Sequence, residues 1–483
     1  MPKQLSSTAK TLYLILMLCG FAAGSPGAST SGPAPRDQLI ARLHALVTKE
    51  DAFGPAYAPL YHAALPWYEQ WGSRIQQPVD DWMVPPDDYA ADLADALEHG
   101  RNYFAENPEA LVPLAFECKL STGKTVRANY WIILPTGFSK QGRRFPLVIS
   151  LHGTGWWGHA ISYVRQTRRP LAVRRAFGVT PINEGGPWQI DFLNAYLDQL
   201  LKMLPVDPDH VYVEGHSLGA MATWEWAMNN PERFAAISPR AGIGEPFRAM
   251  RLKNVPAWVI HGADDDVVLS GFADQMVTAL QSCGASVRFA VLRGVAHNMP
   301  PDLDEEQVMD WFLRQTRSRE PPPLDPRDAL GLTPAGFSPW EIVASPGGRF
   351  WSSDPQAVGD DAAGLRAAQG LFKKAHDFGE LVDSPLQLER DLKNSTVRFW
   401  LAIPRTLQPN PHLEATAVDV HPAQYVRFYF RGVTEQALVH LAAVVTEAET
   451  AGHRLESEFV WITPLSLRPG TATHIAEYRI KIE

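Results

Sequence analysis

The chain has 483 residues, of which 45% are hydrophobic and 20% charged, and its formal net charge is −9. This length predicts two or three domains, and the composition is that of a soluble globular protein rather than a disordered or fibrous one. The acidic balance argues against a nucleic-acid partner, which would favour a basic face.

The first residues are typical of a secretory signal. Lys3 and Lys10 precede an apolar run over residues 12–23, and small residues follow that run. The run is too short to span a bilayer as a mature helix. We therefore predict a signal peptide over 1–24, no stable membrane span and a secreted or periplasmic location, with an uncleaved anchor as the alternative. Residues 25–110 are predicted to form a flexible lead-in and a helical extension.

From about residue 111 the pattern changes to strands that alternate with helices. Segments 116–120 and 126–134 alternate like paired strands. Segment 145–151 is a nearly continuous apolar run, as expected of a strand buried on both faces. Alternation continues to residue 318, with an arginine-rich helix predicted within 158–187. The segment 111–318 is therefore predicted as an α/β domain with a doubly wound, mostly parallel sheet.

The most informative motif in this segment is Gly215-His216-Ser217-Leu218-Gly219. A strand-like alternation precedes it and a helical pattern follows, which is the context of a nucleophile elbow. Side chains at the two glycine positions would collide with the neighbouring strand and helix. Ser217 is therefore the predicted nucleophile.

Upstream, a glycine-rich turn follows the buried strand over 145–151. A tetrahedral oxyanion needs preorganised backbone N–H donors, and the predicted donors are Leu218, directly after the nucleophile, and Thr154 in this turn. Trp156 and Trp157 are predicted substrate-binding residues, with core packing as the alternative for each.

Downstream, an acidic loop and a histidine follow two further strands. Asp264, Asp265 and Asp266 come after His261-Gly262, and one of them is expected to orient a histidine. His297 is the predicted general base. The order Ser, Asp, His along the chain is that of α/β-hydrolases. The other histidines near these motifs compete for the base role: His152, His159, His216 and His261.

At these residues the chain resembles secreted esterases of the α/β-hydrolase superfamily, such as feruloyl esterases, polyhydroxybutyrate depolymerases and phospholipase/carboxylesterase-type enzymes. The resemblance rests on segments 145–153 and 206–219, on 231–237 after the elbow helix, and on 258–262. It implies that Asp265 is the acid, since the family pattern is H-G-x-x-D-x-x-V, and that His297 is the base. It implies no metal and no organic cofactor.

Beyond a Pro-rich linker at 319–336, residues 337–483 contain two copies of one pattern, in which a strand, a helix, a glycine and further strands follow one another. This predicts a smaller α+β C-terminal domain with two internal repeats. It resembles GyrI-like effector-binding domains, on the segments 399–404 and 476–482. The resemblance implies a cleft that takes a small ligand, with Glu477 as its glutamate, and Trp351, Trp400 and Trp461 are the candidates to line it. A packing or dimerisation module with core aromatics is the alternative.

The predicted function is a secreted serine hydrolase that cleaves small or polymeric carboxylic esters through an acyl-enzyme. A serine peptidase of the prolyl-oligopeptidase type shares the triad order, but no blade-length repeats precede the hydrolase segment. The alternative from another class is a non-catalytic small-molecule-binding protein on a hydrolase scaffold. Cys118 and Cys283 are compatible with one disulfide or with two thiols.

Overall fold

The structure is a computed structural model that describes residues 35–48, 56–70, 86–107, 110–138, 142–154, 176–183, 186–299, 305–359, 361–377, 385–403, 417–432, 434–466 and 474–483. The predicted signal peptide lies outside these residues. Among the helices that they form, none combines the length and apolar character that a membrane crossing requires.

The α-helices in these ranges are α1 Pro35–Val47, α2 Ala58–Gln70, α3 Pro86–Glu98, α4 Tyr103–Glu106, α5 Ile190–Met203, α6 Leu218–Asn229, α7 Gly271–Ser282, α8 Glu305–Phe312, α9 Asp361–Asp377 and α10 Thr434–Thr450. The strands are β1 Val112–Lys119, β2 Thr125–Ile133, β3 Phe145–Leu151, β4 Phe177–Pro181, β5 Val206–His216, β6 Ala236–Arg240, β7 Ala257–Gly262, β8 Val287–Leu292, β9 Glu341–Ser345, β10 Gly348–Ser352, β11 Gln356–Ala357, β12 Gln387–Asp391, β13 Thr396–Ala402, β14 Val418–Val420, β15 Ala423–Gly432, β16 Phe459–Ser466 and β17 His474–Lys481.

These residues form two compact units. Unit I comprises the described residues within 35–239 and 305–319, and unit II comprises those within 240–299 and 320–483. The α/β class predicted for segment 111–318 is confirmed, since its strands alternate with helices and the pairs β3–β4, β3–β5 and β7–β8 are parallel.

The sheet of unit I has the strand order β1-β2-β4-β3-β5-β6. Strands β1 and β2 form the predicted antiparallel hairpin, and β3 pairs in parallel with both β4 and β5. Leu151 is in register with Gly215. Because parallel strands end at one edge of a sheet, the glycine-rich turn after β3 and the serine turn after β5 begin side by side.

Most of the segment 158–187, in which an arginine-rich helix is predicted, lies outside the described residues. Phe177–Pro181 forms strand β4, which is buried along its whole length between β2 and β3. Five buried residues in an extended segment satisfy their backbone groups in the sheet, and the neighbouring arginines masked this short apolar run in the sequence pattern.

Unit II contains the parallel pair β7–β8, with helix α7 between the two strands along the chain, and an antiparallel sheet built from the C-terminal residues. The Pro-rich linker is joined to residues 246–252 by an ion pair. The fully buried Arg248 donates from Nη2 to Asp325 Oδ2 at 2.5 Å. Burial works to raise the pKa of Asp325, but Arg248 and Arg327 together lower it to about 2.

The C-terminal sheet is symmetric in its strand order about β12 and β16, and more than one strand precedes the long helix of each half, where the predicted pattern has a single strand. Its main order is β14-β10-β13-β12-β16-β17-β15-β9, with β11 beside β13. Exchange of the two repeats maps β12 onto β16, β13 onto β17, β10 onto β15 and β9 onto β14. The first strand of each repeat therefore pairs with a strand of the other repeat. The α+β domain with two internal repeats is present, and each repeat supplies one long helix, α9 or α10.

Candidate active site

The turn between β5 and α6 has the geometry of a nucleophile elbow. Strand β5 ends at His216, helix α6 begins at Leu218, and Ser217 between them has φ 56° and ψ −119°. A positive φ is sparsely populated by residues other than glycine and stores strain of roughly 1–3 kcal/mol. The surrounding backbone must therefore hold Ser217 in this conformation, as it does at the serine of a strand-to-helix elbow.

Two glycines make this turn possible. A Cβ on Gly219 would lie 1.9 Å from the carbonyl oxygen of Leu151 at the end of β3. A Cβ on Gly215 would lie 2.3 Å from the carbonyl group of Gly219 and 2.8 Å from Thr223 Oγ1. Strand β3, the elbow and the first turn of α6 thus approach so closely that no side chain fits at either position, as the motif predicts.

The glycine-rich turn after β3 passes directly beside Ser217. A Cβ on Gly153 would lie 3.0 Å from Ser217 Cβ. His152 Nδ1 donates to the carbonyl oxygen of Gly153 at 2.8 Å, and its Nε2 accepts from the N–H of Asn183 at 3.0 Å. Both ring nitrogens of His152 therefore hold the turn in place, so this histidine is unsuited to act as the base. Thr154 is exposed on the same turn.

Leu218 occupies the first position of helix α6. The first four N–H groups of an α-helix have no acceptor within the helix, and the helix dipole adds partial positive charge at this end. The N–H of Leu218 is therefore of the kind that stabilises a developing oxyanion.

In unit II, Asp265 and His297 form the predicted acid–histidine pair. Asp265 Oδ2 accepts from His297 Nδ1 at 2.9 Å, and the carboxyl group is fully buried. Because a carboxylate can only accept, Nδ1 carries the proton and Nε2 is the nitrogen left to receive one. The other carboxylate oxygen, Oδ1, accepts from the backbone N–H groups of Val267 and Val268 at 2.9 and 2.8 Å.

A second histidine, His261, contacts the same carboxylate. Its Nε2 lies 2.7 Å from the carbonyl oxygen of Val268 and 3.2 Å from Asp265 Oδ2. Burial works to raise the pKa of Asp265, but hydrogen bonds from His261 and His297 and their positive charge hold this pKa well below its usual range. Asp265 therefore remains ionised at neutral pH, as an acid that orients an imidazole must.

The other two aspartates of the loop are exposed. The N–H of Asp264 donates to the carbonyl oxygen of Val295 at 3.0 Å, which ties the acid loop to the loop of His297. The carbonyl oxygen of Asp266 accepts from Gln369 Nε2 at 3.1 Å. Among the three aspartates, the pairing with His297 is therefore made by Asp265.

Sequence reasoning missed a buried polar pair beneath the elbow. Glu214 in β5 is 0% exposed and accepts from Ser150 Oγ in β3 at 2.7 Å. The signal for this pair was a glutamate within an apolar strand, directly before the motif. The contact with His261 was also missed, because no spacing rule links a strand-end histidine to a loop carboxylate.

Three of the predicted cleft residues of the C-terminal domain have different surroundings. Trp461 lines a small open cleft together with Tyr425 and Arg479. Trp400 packs against Trp461 with ring centroids 5.1 Å apart and donates to Glu389 at 3.2 Å.

Glu477 is buried between two guanidinium groups. Arg479 Nη2 lies 2.5 Å from its Oε1, and Arg427 Nη1 lies 3.4 Å from its Oε2. Its charge is already balanced within the domain. A role for this cleft in binding a small ligand stays a prediction.

Trp156, Trp157 and His159 lie outside the described residues. Within the part of the chain that the structure describes, no group of three or more histidine, cysteine or carboxylate side chains is arranged to hold a metal ion. Cys118 is buried and Cys283 half-buried, and neither forms a disulfide.

Comparisons with known proteins point to esterases. The chain is 27% identical over 134 residues to the bifunctional acetylxylan esterase/xylanase XynS20E of Neocallimastix patriciarum, which covers 26% of this chain and 20% of that protein. It is 35% identical over 78 residues to "Putative esterase NocK" of Nocardia uniformis subsp. tsuyamanensis, which covers 16% of this chain and 23% of that protein. The chain thus spans about a fifth of the length of the curated relatives it matches.

Among solved structures, a thermostable esterase is 26% identical, with a TM-score of 0.37, and the match covers 42% of this chain and 63% of that one. No protein-family model matches the chain. The two curated relatives confirm the predicted resemblance to esterases. The resemblance of the C-terminal domain to GyrI-like domains stays a prediction.

Proposed function

We propose that this protein is a serine hydrolase that cleaves carboxylic esters, with Ser217 as the nucleophile, His297 as the general base and Asp265 as the acid that orients it. The observation that carries the proposal is Ser217 held at φ 56° on a strand-to-helix turn. The Asp265–His297 hydrogen bond supports it, as do the esterase names of the matched relatives.

In the proposed reaction, His297 Nε2 takes the hydroxyl proton of Ser217 while Oγ attacks the ester carbonyl carbon. The oxyanion that forms is stabilised by the N–H groups of Leu218 and Thr154. The imidazolium of His297, stabilised by Asp265, then gives its proton to the alcohol oxygen as the C–O bond breaks. Water repeats the sequence on the acyl-enzyme, releases the carboxylic acid and restores Ser217.

The proposal extends to location and substrate class. Residues 1–24 would direct the chain out of the cytoplasm and be removed, and the substrate would be a small or polymeric ester. Trp156 and Trp157 are proposed to contact it. The C-terminal cleft lined by Trp461 and Arg479 is proposed to take a small ligand, with Trp400 packed against Trp461 and Glu477 paired with Arg479.

The direct test is hydrolysis of p-nitrophenyl esters of increasing acyl length by the purified full chain, with aminoacyl p-nitroanilides as the amide arm. We expect ester turnover, and a loss of roughly 10⁴- to 10⁶-fold in kcat for Ser217→Ala. Ser282→Ala is the matched control, because the Ser282 hydroxyl donates only to its own helix, to the carbonyl oxygen of Thr278 at 2.8 Å.

Because residues of a triad act as a unit, the losses in Ser217→Ala and His297→Ala are expected to be far from additive in the double variant. Additive losses would overturn the joint role. Turnover of amides in preference to esters would assign a peptidase instead. An inactive parent protein that binds but does not cleave esters would assign a binding protein on a hydrolase scaffold.

A further inference from the structure

Helix α9 of the C-terminal domain contacts the loop that carries Asp265. Gln369 Nε2 on this helix donates to the carbonyl oxygen of Asp266 at 3.1 Å. The same peptide group presents its N–H, that of Val267, to Asp265 Oδ1 at 2.9 Å. One peptide unit therefore links Gln369 on one side to the carboxylate of the acid on the other. Hydrogen bonds in such a chain polarise and strengthen one another.

A hydrophobic contact fixes the continuation of the same loop. Leu269 is 5% exposed and belongs to a cluster in the C-terminal domain that contains Trp351 and Phe372. Phe372 on α9 also packs edge-on against Phe272, with ring centroids 5.3 Å apart. Its ring covers Gly271 so closely that a Cβ there would lie 2.6 Å from it.

Residues 269–272 follow directly after the two amides that hold Asp265. A shift of α9 relative to this segment would therefore move the peptide groups of Val267 and Val268. Core packing is dense, so a displacement here is transmitted rather than absorbed.

We propose that Gln369 and Phe372 are positioning residues for Asp265, and that the C-terminal domain thereby forms part of the catalytic machinery. Gln369 acts through the Asp266–Val267 peptide and Phe372 through residues 269–272. This inference rests on the proposed role of Asp265 as the catalytic acid. It gives the C-terminal domain a function that requires no ligand in its cleft.

The first test compares Gln369→Met with Gln356→Met. Both substitutions remove a side-chain amide that donates to a backbone carbonyl, since Gln356 Nε2 donates to Asp354 at 2.8 Å. Gln356 lies in strand β11 of the same domain, where it pairs with Val397 of β13. We expect Gln369→Met to lower kcat roughly three- to tenfold with KM within about twofold. We expect Gln356→Met to leave both parameters unchanged.

A rescue experiment tests Phe372. Gly271→Ala alone drives a methyl group into the Phe372 ring, so we expect a loss of kcat. Phe372→Leu alone leaves a void against the same segment. In the double variant the smaller side chain makes room for the methyl group. We expect its kcat to be higher than the value obtained by multiplying the fractional losses of the two single variants. Phe428→Leu, in the other core of the C-terminal domain, serves as the control for loss of a buried ring.

A measurement without turnover separates this inference from the proposed function. The hydrogen-bonded Nδ1 proton of His297 is expected as a low-field proton resonance in ¹⁵N-histidine-labelled protein, assigned by its loss in His297→Asn. We expect Gln369→Met to shift or broaden this resonance and Gln356→Met to leave it in place.

The outcomes separate cleanly. An inactive parent whose low-field resonance responds to Gln369→Met would overturn the proposed function and retain the positioning role. An active parent whose kcat and resonance are both unchanged in Gln369→Met would overturn the inference. If Gln356→Met lowered kcat as much as Gln369→Met at equal loss of Tm, the effect would be general destabilisation, and the inference would also fail.

Discussion

The serine turn and the acid loop both follow a strand of an α/β sheet, but they are held by different means. The serine turn is fixed by close backbone approach, because Gly219 lies against the carbonyl of Leu151 and Gly215 lies against the first turn of α6. The acid loop is fixed mainly by hydrogen bonds that converge on Asp265 and by side chains of the C-terminal domain.

The difference lies in how much of the chain each loop depends on. The serine turn draws its supports from two adjacent strands and the helix that follows. The acid loop receives a hydrogen bond from Gln369, 103 residues from Asp266. A strained serine needs a rigid support that cannot relax, whereas a carboxylate that orients an imidazole needs donors at both oxygens, and these need not be local.

The largest expected effect is that of Gly219→Ala in the serine turn. An alanine inside a helix is normally favourable by about 1 kcal/mol relative to glycine, but here its Cβ would meet a backbone oxygen at 1.9 Å. We expect a loss of about 3 kcal/mol in the free energy of unfolding, measured in urea, and loss of ester turnover.

The matched control is Gly370→Ala in helix α9, where a Cβ would meet nothing within 4 Å. We expect this substitution to stabilise the protein by about 0.5–1 kcal/mol. If Gly219→Ala left the free energy of unfolding unchanged, the serine turn would have room to relax. The two loops would then not differ in the way they are held.

Gly262→Ala is expected to have the next largest effect, because the acid loop depends on backbone approach at this one point. A Cβ would lie 2.2 Å from the carbonyl oxygen of Val295 and 2.7 Å from that of Ala296, directly before His297. Since a misplacement of about 1 Å can cost about 10²-fold in rate, we expect kcat to fall by about that factor. Retention of full kcat, with a folded protein by circular dichroism, would contradict this expectation.

Asp265→Asn tests, through the pH dependence of stability, whether hydrogen bonds to Asp265 stabilise the acid loop. The folded-state pKa of Asp265 lies below its unfolded value of about 3.9. Its contribution to stability is therefore complete above that unfolded value and is lost as pH falls through the folded pKa. We expect the free energy of unfolding of the parent to exceed that of Asp265→Asn by about 2 kcal/mol at pH 7. This difference is expected to shrink below about pH 4.

Urea unfolding of both proteins between pH 7 and pH 2.5 measures this difference. A difference that stays constant over the whole range would show that the ionised carboxylate contributes nothing beyond its shape.

Much of the α/β segment was predictable because its signals are local. Strand β3 has the predicted bounds, since it is a continuous apolar run. Strand β4 was not predictable, because its five residues follow an arginine-rich stretch and become a strand only through pairing with β2 and β3.

Within the candidate site, the motif alone identified Ser217 and its two glycines, because their spacing is imposed by one turn. The choice of Asp265 among three adjacent aspartates came from a family pattern, and Asp265 is the buried one of the three and contacts His297. No local pattern pointed to His261, Glu214 or Gln369, since their partners are a carboxylate, a hydroxyl and a backbone carbonyl in other elements.

The sequence by itself determined the α/β class, the strand-to-helix serine turn and the repeated pattern of the C-terminal domain. Hydrophobic periodicity and glycine spacing are local patterns, since they reflect burial and close packing of groups that are only a few residues apart. The tertiary structure alone decided that the first strand of each repeat pairs with the other repeat, and that α9 contacts the acid loop. Those contacts join surfaces distant along the chain, and a backbone carbonyl accepts a hydrogen bond whatever residue carries it.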